Sequence, residues 1–285
     1  MRQLNNFIRG EHFPHVCDMR VGRILYPTRE TIDIKESSPE LYTAIPEKKH
    51  VSIYARTENR HEAMRIIADN PDKKFTLVTH NSDMAIYPQP IPNNLNRWFA
   101  QNRYWSHPRV FSLPIGLENK HWFPYKTNVM LNVPVCKNKT LKAFIQCNPN
   151  THPERKSLME SVGNDVAETY QGSNGSQDAH ELFVNNLAKY AFCICPRGNG
   201  VDTHRLWEAL YMGCIPIVKN YLAHEFRYGD LEEMNQHKLP IVTVEEWSQI
   251  TPDFLRDQYD KIHKSSFVSN LLSMQYWAER INHEV

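Results

Sequence analysis

An α/β fold built on parallel sheets and divided between two domains is predicted by three features of this 285-residue chain. Short apolar runs alternate with helical or loop stretches through the first half, a spacing that suits a parallel sheet covered by helices. The span from Tyr190 to Val218 compresses strand, helix and strand into one βαβ unit, whose crossover is right-handed by default. The length, with 41% hydrophobic residues, is enough to bury a sizeable core in each of two domains.

In the first half the candidate strands are Arg23 to Leu25, Val51 to Tyr54, Phe75 to Thr79 and Val110 to Leu113. Between Val78 and Leu113 lies a stretch rich in Pro, Asn and aromatics, including Tyr87-Pro88-Gln89-Pro90-Ile91-Pro92 and Arg97-Trp98-Phe99. A loop of that length inside a domain reads as functional or lid-like. The pattern weakens from Phe123 to Thr140, which places a boundary there and gives domains at 1–135 and 136–264 with a C-terminal segment 265–285. The second domain reads as strand Leu141 to Cys147, helix Glu154 to Ser161, helix Asp178 to Leu187, strand Tyr190 to Cys195, helix Thr203 to Met212 and strand Ile215 to Val218. Ser265 to Ile281 reads as one amphipathic helix carrying Leu271, Leu272, Met274, Trp277 and Ile281.

Composition narrows the function classes. Lys and Arg number 33 against 32 Asp and Glu, a net charge of +1, so no global field draws the chain to nucleic acid or an anionic membrane. No run approaches the roughly 18 apolar residues of a membrane span, and Met1 to Asn6 lacks the apolar core of a signal peptide. A cytoplasmic protein with no nucleic-acid partner is expected. The six cysteines form no CxxC pair and sit mostly in apolar runs, where a thiol packs as a small hydrophobe. Asn138-Lys139-Thr140 and Asn174-Gly175-Ser176 match the glycosylation acceptor pattern but carry little weight without a secretory signal.

The chemistry concentrates between Phe192 and Ile217. A buried strand ends at Pro196, and Gly198 and Gly200 allow a tight turn and close backbone approach to a ligand. Asp202 or Thr203 can cap the following helix, whose N–H groups and dipole favour a phosphate at the carboxyl end of the sheet. Arg205 and Glu208 share one face of that helix while Leu206, Leu210 and Tyr211 can face the sheet. A diphosphate needs a fixed cation, which Arg205 or Arg197 supplies, and ribose hydroxyls need an acceptor, which Glu208 supplies. Read alone, the same spacing fits an Arg–Glu surface pair beside ordinary turn glycines.

The order Pro196, Gly198, Arg205, Glu208-Ala209-Leu210 and Gly213-Cys214-Ile215-Pro216 resembles the donor-binding signature of exostosin-like glycosyltransferases, glycosyltransferase family 47. Fucosyltransferases of the same architecture carry a similar ending. Phe144-Ile145-Gln146-Cys147-Asn148 with Arg155 resembles the first strand and turn of the family's donor domain, and Phe111-Ser112-Leu113-Pro114-Ile115-Gly116 a strand end near the close of its acceptor domain. The resemblance implies the GT-B architecture: two Rossmann-like domains facing across a cleft, acceptor-binding first and nucleotide-sugar-binding second, with a C-terminal helix crossing back. It also implies inversion at the anomeric carbon with a single base. The implied donor site comprises Arg155, Pro196, Arg197, Gly198, Asn199, Gly200, Thr203, Arg205 and Glu208. No Asp-x-Asp occurs, so no metal and no cofactor beyond the nucleotide-sugar co-substrate are expected, with Arg205, Arg197 and helix N–H groups stabilising the diphosphate.

The base is expected from the first domain at a strand end. Thr79-His80-Asn81-Ser82-Asp83 offers Asp83, preferred, and His80, with Glu118 third; His204 reads as a structural or phosphate contact. Trp98, Phe99, Tyr104, Trp105, Trp122 and Phe123 could stack on acceptor sugars, although core packing is the commoner fate of such side chains. Golgi members of the family carry an N-terminal membrane segment that this chain lacks, which makes it similar to the short soluble viral and microbial members. A UDP-sugar, xylose or galactose first, and a glycan acceptor are the expected partners. A GDP-sugar enzyme of the fucosyltransferase kind and a non-catalytic nucleotide-sugar-binding module are the alternatives. A dinucleotide oxidoreductase fits poorly, because no G-x-G-x-x-G follows an early strand.

Overall fold

The computed structural model describes residues 7–22, 45–120, 122–171, 176–220 and 238–283. The candidate strand Arg23 to Leu25 lies outside the described residues. The chain divides into two compact units, one formed by Ile8–Ile115 with Ser273–Val285 and the other by Gly116–Leu272 with Met1–Phe7.

The N-terminal unit opens with α1 (Phe13–Val16) and β1 (Met19–Val21), followed by β2 (His50–Arg56), α2 (Arg60–Ala68), β3 (Lys74–His80), β4 (Leu95–Ala100) and β5 (Val110–Ser112). The five strands lie in the order β1-β2-β3-β4-β5, every pair parallel. A parallel sheet is covered on both faces, so its central strands need near-continuous apolar runs. Val51, Ile53 and Ala55 in β2 and Phe75, Leu77 and Val78 in β3 meet that need, all fully buried.

Strand β4 corrects the expectation of one long lid-like loop between Val78 and Leu113. Leu95, Trp98, Phe99 and Ala100 are fully buried, and the Trp98 indole donates to Thr79 Oγ1 at 2.9 Å. The periodicity was hidden because Asn96 and Arg97 interrupt the run at the two half-buried positions of the strand.

The C-terminal unit carries α3 (Lys126–Asn132), β6 (Thr140–Cys147), α4 (Pro153–Ser161), β7 (Ala167–Gln171), α5 (Gln177–Lys189), β8 (Tyr190–Ile194), α6 (His204–Tyr211), β9 (Ile215–Lys219), β10 (Val242–Val244) and α7 (Pro252–His263). Its sheet runs β10-β9-β8-β6-β7, again parallel throughout. Helix starts follow local chemistry: Ser176 Oγ accepts from the Ala179 N–H, and Thr251 Oγ1 accepts from the Phe254 N–H with Pro252 at the first helical position. Two Rossmann-like parallel layers of five strands are the α/β composition that the GT-B resemblance implies.

The single amphipathic helix expected from Ser265 to Ile281 is two pieces, a 3-10 turn at Ser269–Leu272 and α8 (Met274–Asn282). Ser265, Ser266, Ser269 and Asn270 compete for backbone hydrogen bonds and favour turns over a helix interior. Helix α8 belongs to the N-terminal unit, where Asn282 Nδ2 donates to Val16 O at 2.8 Å and Arg97 Nη1 donates to Arg280 O at 2.8 Å.

Candidate functional site

The strand order of the C-terminal unit fixes where a ligand can bind. β6 comes first in the chain, β7 is laid to one side of it and β8 to the other, so connections reverse direction between β6 and β8. In open α/β sheets the crevice at the carboxyl ends of such strands is the binding position. Those ends are Cys147-Asn148 after β6 and Cys195-Pro196 after β8.

The β8 ladder is extended by the Cys195 N–H to Ile217 O at 2.8 Å and stops at Pro196, which has no N–H to give. The loop beyond is closed by the Gly198 N–H to Gly200 O at 2.9 Å. Neither glycine adopts a positive φ, so the expected conformational need is not what the structure uses at Gly198. A Cβ there would sit 3.3 Å from Arg155 Nη2, so the missing side chain makes room for that guanidinium. Arg155 is 6% exposed, donates through Nε to Arg197 O at 2.8 Å and through Nη1 to Asn148 O at 3.1 Å. It therefore straps the two loops of the crevice together. Arg197 turns back on its own loop, reaching Gly198 O at 3.4 Å and Asn199 O at 3.2 Å, while the Asn199 side chain is exposed.

Thr203 occupies the N-cap of α6 without a side-chain cap. Asp202, the other expected cap, accepts from Trp207 Nε1 at 2.8 Å. The Thr203 side chain therefore does not cross the start of the helix, whose positive dipole end favours an anion. At the other end Gly213, with φ +60°, closes a Schellman turn, its N–H meeting Leu210 O at 3.1 Å while the Cys214 N–H meets Ala209 O at 2.9 Å.

Arg205 and Glu208 project from this anchored helix. They form no ion pair with each other, which removes the surface-pair reading. The Arg205 guanidinium stacks over Phe183 at 5.3 Å, and its buried Nε has no hydrogen-bond partner. Glu208 is 5% exposed, and its carboxylate makes no hydrogen bond among the described residues. Burial alone would push its pKa up, but Lys126, His180, Arg205 and His204 outweigh that and hold it below the ordinary glutamate value. Burial likewise depresses His180, whose ring donates through Nε2 to Lys126 O at 3.3 Å.

A second carboxylate completes the cluster. Glu118 lies 3.9 Å from Lys126 Nζ and 3.4 Å from His204 Nε2, while His204 Nδ1 donates to Gly116 O at 2.8 Å. Gly116 has φ +68°, a conformation that glycine adopts at little cost. Glu118, read from the sequence as part of the acceptor side, thus belongs to the C-terminal unit, because the contact division falls at Ile115/Gly116 and not near Val135. Lys126 and His180 were not singled out in the sequence; no motif marks them, and only the packing of α3 against α5 brings them to Glu208.

The two residues named for the base belong to the N-terminal unit. His80 ends β3, is 1% exposed, donates through Nε2 to Pro114 O at 2.9 Å and has its Nδ1 3.4 Å from Asn81 Oδ1. Asp83, three residues on, is exposed. Of the aromatics, Trp98 and Phe99 are core residues, whereas Trp122 is 58% exposed.

A family model described as the Exostosin GT47 domain matches residues 48–251, from β2 to the end of β10 and beyond. A probable glucuronoxylan glucuronosyltransferase of Arabidopsis thaliana (IRX7) is 26% identical over 93 residues, which is 30% of this chain and 21% of that protein. A probable glycosyltransferase of the same plant is 24% identical over 120 residues, 35% of this chain and 25% of the relative. The alignments thus span a quarter or less of the length of these curated relatives. With the family match covering most of the chain, and the crevice loop and α6 inside it, the chain belongs to the exostosin GT47 family of glycosyltransferases.

Proposed function

We propose that this chain moves a sugar from a UDP-sugar, xylose or galactose first, to a hydroxyl of a glycan acceptor, with inversion and without a divalent ion. The observation that carries the reading is the placement on α6, at the switch point of the sheet, of Arg205, whose buried Nε meets no hydrogen-bond partner among the described residues, and of Glu208, a buried carboxyl held below the ordinary glutamate pKa by the cations around it. A nucleoside diphosphate supplies what each lacks: phosphate oxygens for Arg205 and the N–H groups that open α6, and ribose hydroxyl donors for Glu208. Arg155, Arg197, Gly198 and Gly200 shape the loop, with Pro196, Asn199 and Thr203 at its ends and tip.

In the reaction the acceptor oxygen attacks the anomeric carbon, the bond to the diphosphate breaks with its electron pair leaving on UDP, and one base takes the acceptor proton. Asp83 is the favoured base because its carboxylate is exposed, whereas both His80 nitrogens face groups of the fold. Arg205 and the helix N–H groups take up the charge of the departing diphosphate. The similarity to a probable glucuronosyltransferase of Arabidopsis thaliana makes glucuronosyl transfer a second donor reading. The free thiols, buried at Cys147, Cys193, Cys195 and Cys214, fit a reducing, cytoplasmic setting.

The test is a melting experiment with UDP and GDP followed by transfer assays with UDP-xylose, UDP-galactose and UDP-glucuronate, each with and without EDTA. A ligand bound only by the folded state raises the melting temperature. Stabilisation by UDP over GDP, with EDTA-resistant transfer, is expected. Stabilisation by GDP alone moves the assignment to a GDP-sugar, and tight nucleotide binding with no transfer from any donor leaves a binding module.

A further inference from the structure

Among the described residues of the N-terminal unit, the large hydrophobic side chains left exposed are Met84 and Tyr87, at 44% and 58%. They are three residues apart, just past the carboxyl end of β3, the edge at which parallel sheets present ligand-binding loops. Their segment is pinned in place. Ile86 is fully buried and forms a parallel bridge with Arg103, its N–H bonding to Asn102 O at 2.9 Å and its carbonyl accepting from the Tyr104 N–H at 2.9 Å. In an extended bridge neighbouring side chains point to opposite sides, so the anchoring of Ile86 inward presents Tyr87 outward. The Tyr87 ring stands 5.4 Å from that of Tyr104, and the exposed Asp83 precedes Met84 directly. Ser82 continues the polar border, its hydroxyl donating to Glu58 Oε1 at 2.8 Å.

From this arrangement we infer that Tyr87, with Met84 beside it and Asp83 and Glu58 at its border, is a stacking platform for one pyranose ring of the acceptor glycan. The inference rests on the glycosyltransferase reading, which requires a glycan acceptor without saying what holds it. An exposed aromatic face takes the C–H face of a sugar, and adjacent carboxylates accept from its hydroxyls. Size favours the sugar over a protein: two side chains are far short of the roughly 800 Å² per partner that a stable protein interface buries. A rigid aromatic also loses little conformational entropy when it binds.

The experiment measures binding of xylotetraose, cellotetraose and β-1,4-galactotetraose by saturation-transfer NMR in the presence of UDP, for the wild type and for Tyr87→Ala, Tyr87→Trp and Met84→Ala. At least one oligosaccharide should bind the wild type, bind Tyr87→Ala about tenfold more weakly and bind Tyr87→Trp within about threefold. The saturation transfer should be strongest on ring C–H protons. Melting temperature with and without UDP reports folding of each variant, and Met84→Ala, expected to weaken binding two- to threefold, keeps the question open should Tyr87→Ala misfold. The inference is overturned if none of the three sugars binds, if Tyr87→Ala binds as the wild type does, or if sedimentation shows a wild-type dimer that Tyr87→Ala dissociates, which would make the patch an interface between copies. Failure of UDP to shift melting would instead strike the donor reading, since the sugar-binding result is obtained on a different unit of the protein.

Discussion

Replacing Glu208 with Gln tests the donor site where its physics is most distinctive. The carboxylate is 5% exposed, ionised and without a hydrogen-bond partner, so what it offers a ribose is a pair of charged acceptor oxygens. A hydrogen bond to a charged partner contributes about 1.5–3 kcal/mol, and 1.4 kcal/mol is a factor of ten, so Glu208→Gln should raise the Kd for UDP roughly 10- to 100-fold. Gln keeps the shape, but the lowered pKa means that the surrounding cations stabilise the charged form by more than burial opposes it, so the variant should stay folded with a somewhat lower melting temperature. Isothermal titration with UDP, alongside the melting temperature of the free protein, separates the two effects. The lowered pKa adds a control. A carboxyl held below the ordinary glutamate value stays charged through the weakly acidic range, so between pH 7.5 and 5.5 this group should cause no loss of UDP affinity. A Kd unchanged within twofold in a well-folded Glu208→Gln variant refutes the ribose contact.

Arg205→Ala should cost at least tenfold in UDP affinity and more in kcat, measured by titration and steady-state transfer, because the guanidinium is fixed over Phe183 with its Nε unmet among the described residues. Asp83→Asn should lower kcat by about 100-fold or more with donor affinity kept, as expected of a general base; near-normal turnover there, with a collapse in Glu118→Gln, would move the base into the C-terminal unit. Gly213→Ala should lower stability by about 1 kcal/mol, or about 2–4 °C in melting, since its Cβ would meet Val135 Cγ1 at an ordinary 3.7 Å and the penalty is that of φ +60°. Gly213→Asn should recover part of it. Burial lowers the folded-state pKa of His180 below 6.5, so its neutral form contributes stability that is complete above pH 6.5 and is lost as pH falls toward the folded pKa; the pH-melting slope in that window should flatten in His180→Gln.

The elements read correctly from the sequence are those with continuous apolar runs or strong caps: β2, β3, β5, β6, β8, β9 and the helices α4 to α6. The strands passed over were β1, β7, β10 and β4. The first three are sheet edges, where Met19–Val21, Ala167–Gln171 and Val242–Val244 need few apolar residues because one side lacks a neighbour. Strand β4 is central, and its signal was broken by Asn96 and Arg97. Helix α7 was marked by Thr251-Pro252-Asp253, a cap and a proline at the first helical position, but its apolar face is sparse and only Leu255 is fully buried. At the site, Arg205 and Glu208 were legible because both lie on one helix at a fixed spacing. Lys126 and His180 were not, and Glu118 was read as a third candidate base and not as a neighbour of this cluster, because tertiary packing alone brings residues so far apart in sequence together.

That packing explains why the site can bind an anion in a chain whose net charge is only +1. Lys126 is engaged by two carboxylates, Glu118 at 3.9 Å and the field of Glu208, so its charge is largely neutralised within the protein. Arg155 is bound to two backbone carbonyls and Arg197 folds onto two more, so both hold the loop before they hold any ligand. Arg205 differs from all three: its guanidinium is oriented by the Phe183 ring, and its buried Nε meets no hydrogen-bond partner among the described residues. Beside it the helix start contributes about half a positive charge, and the Thr203 side chain does not cross it. The attraction for a diphosphate therefore arises from one preorganised guanidinium beside a positive helix end, and not from an excess of basic residues. Removing that one guanidinium should cost more affinity than removing any other cation near the crevice.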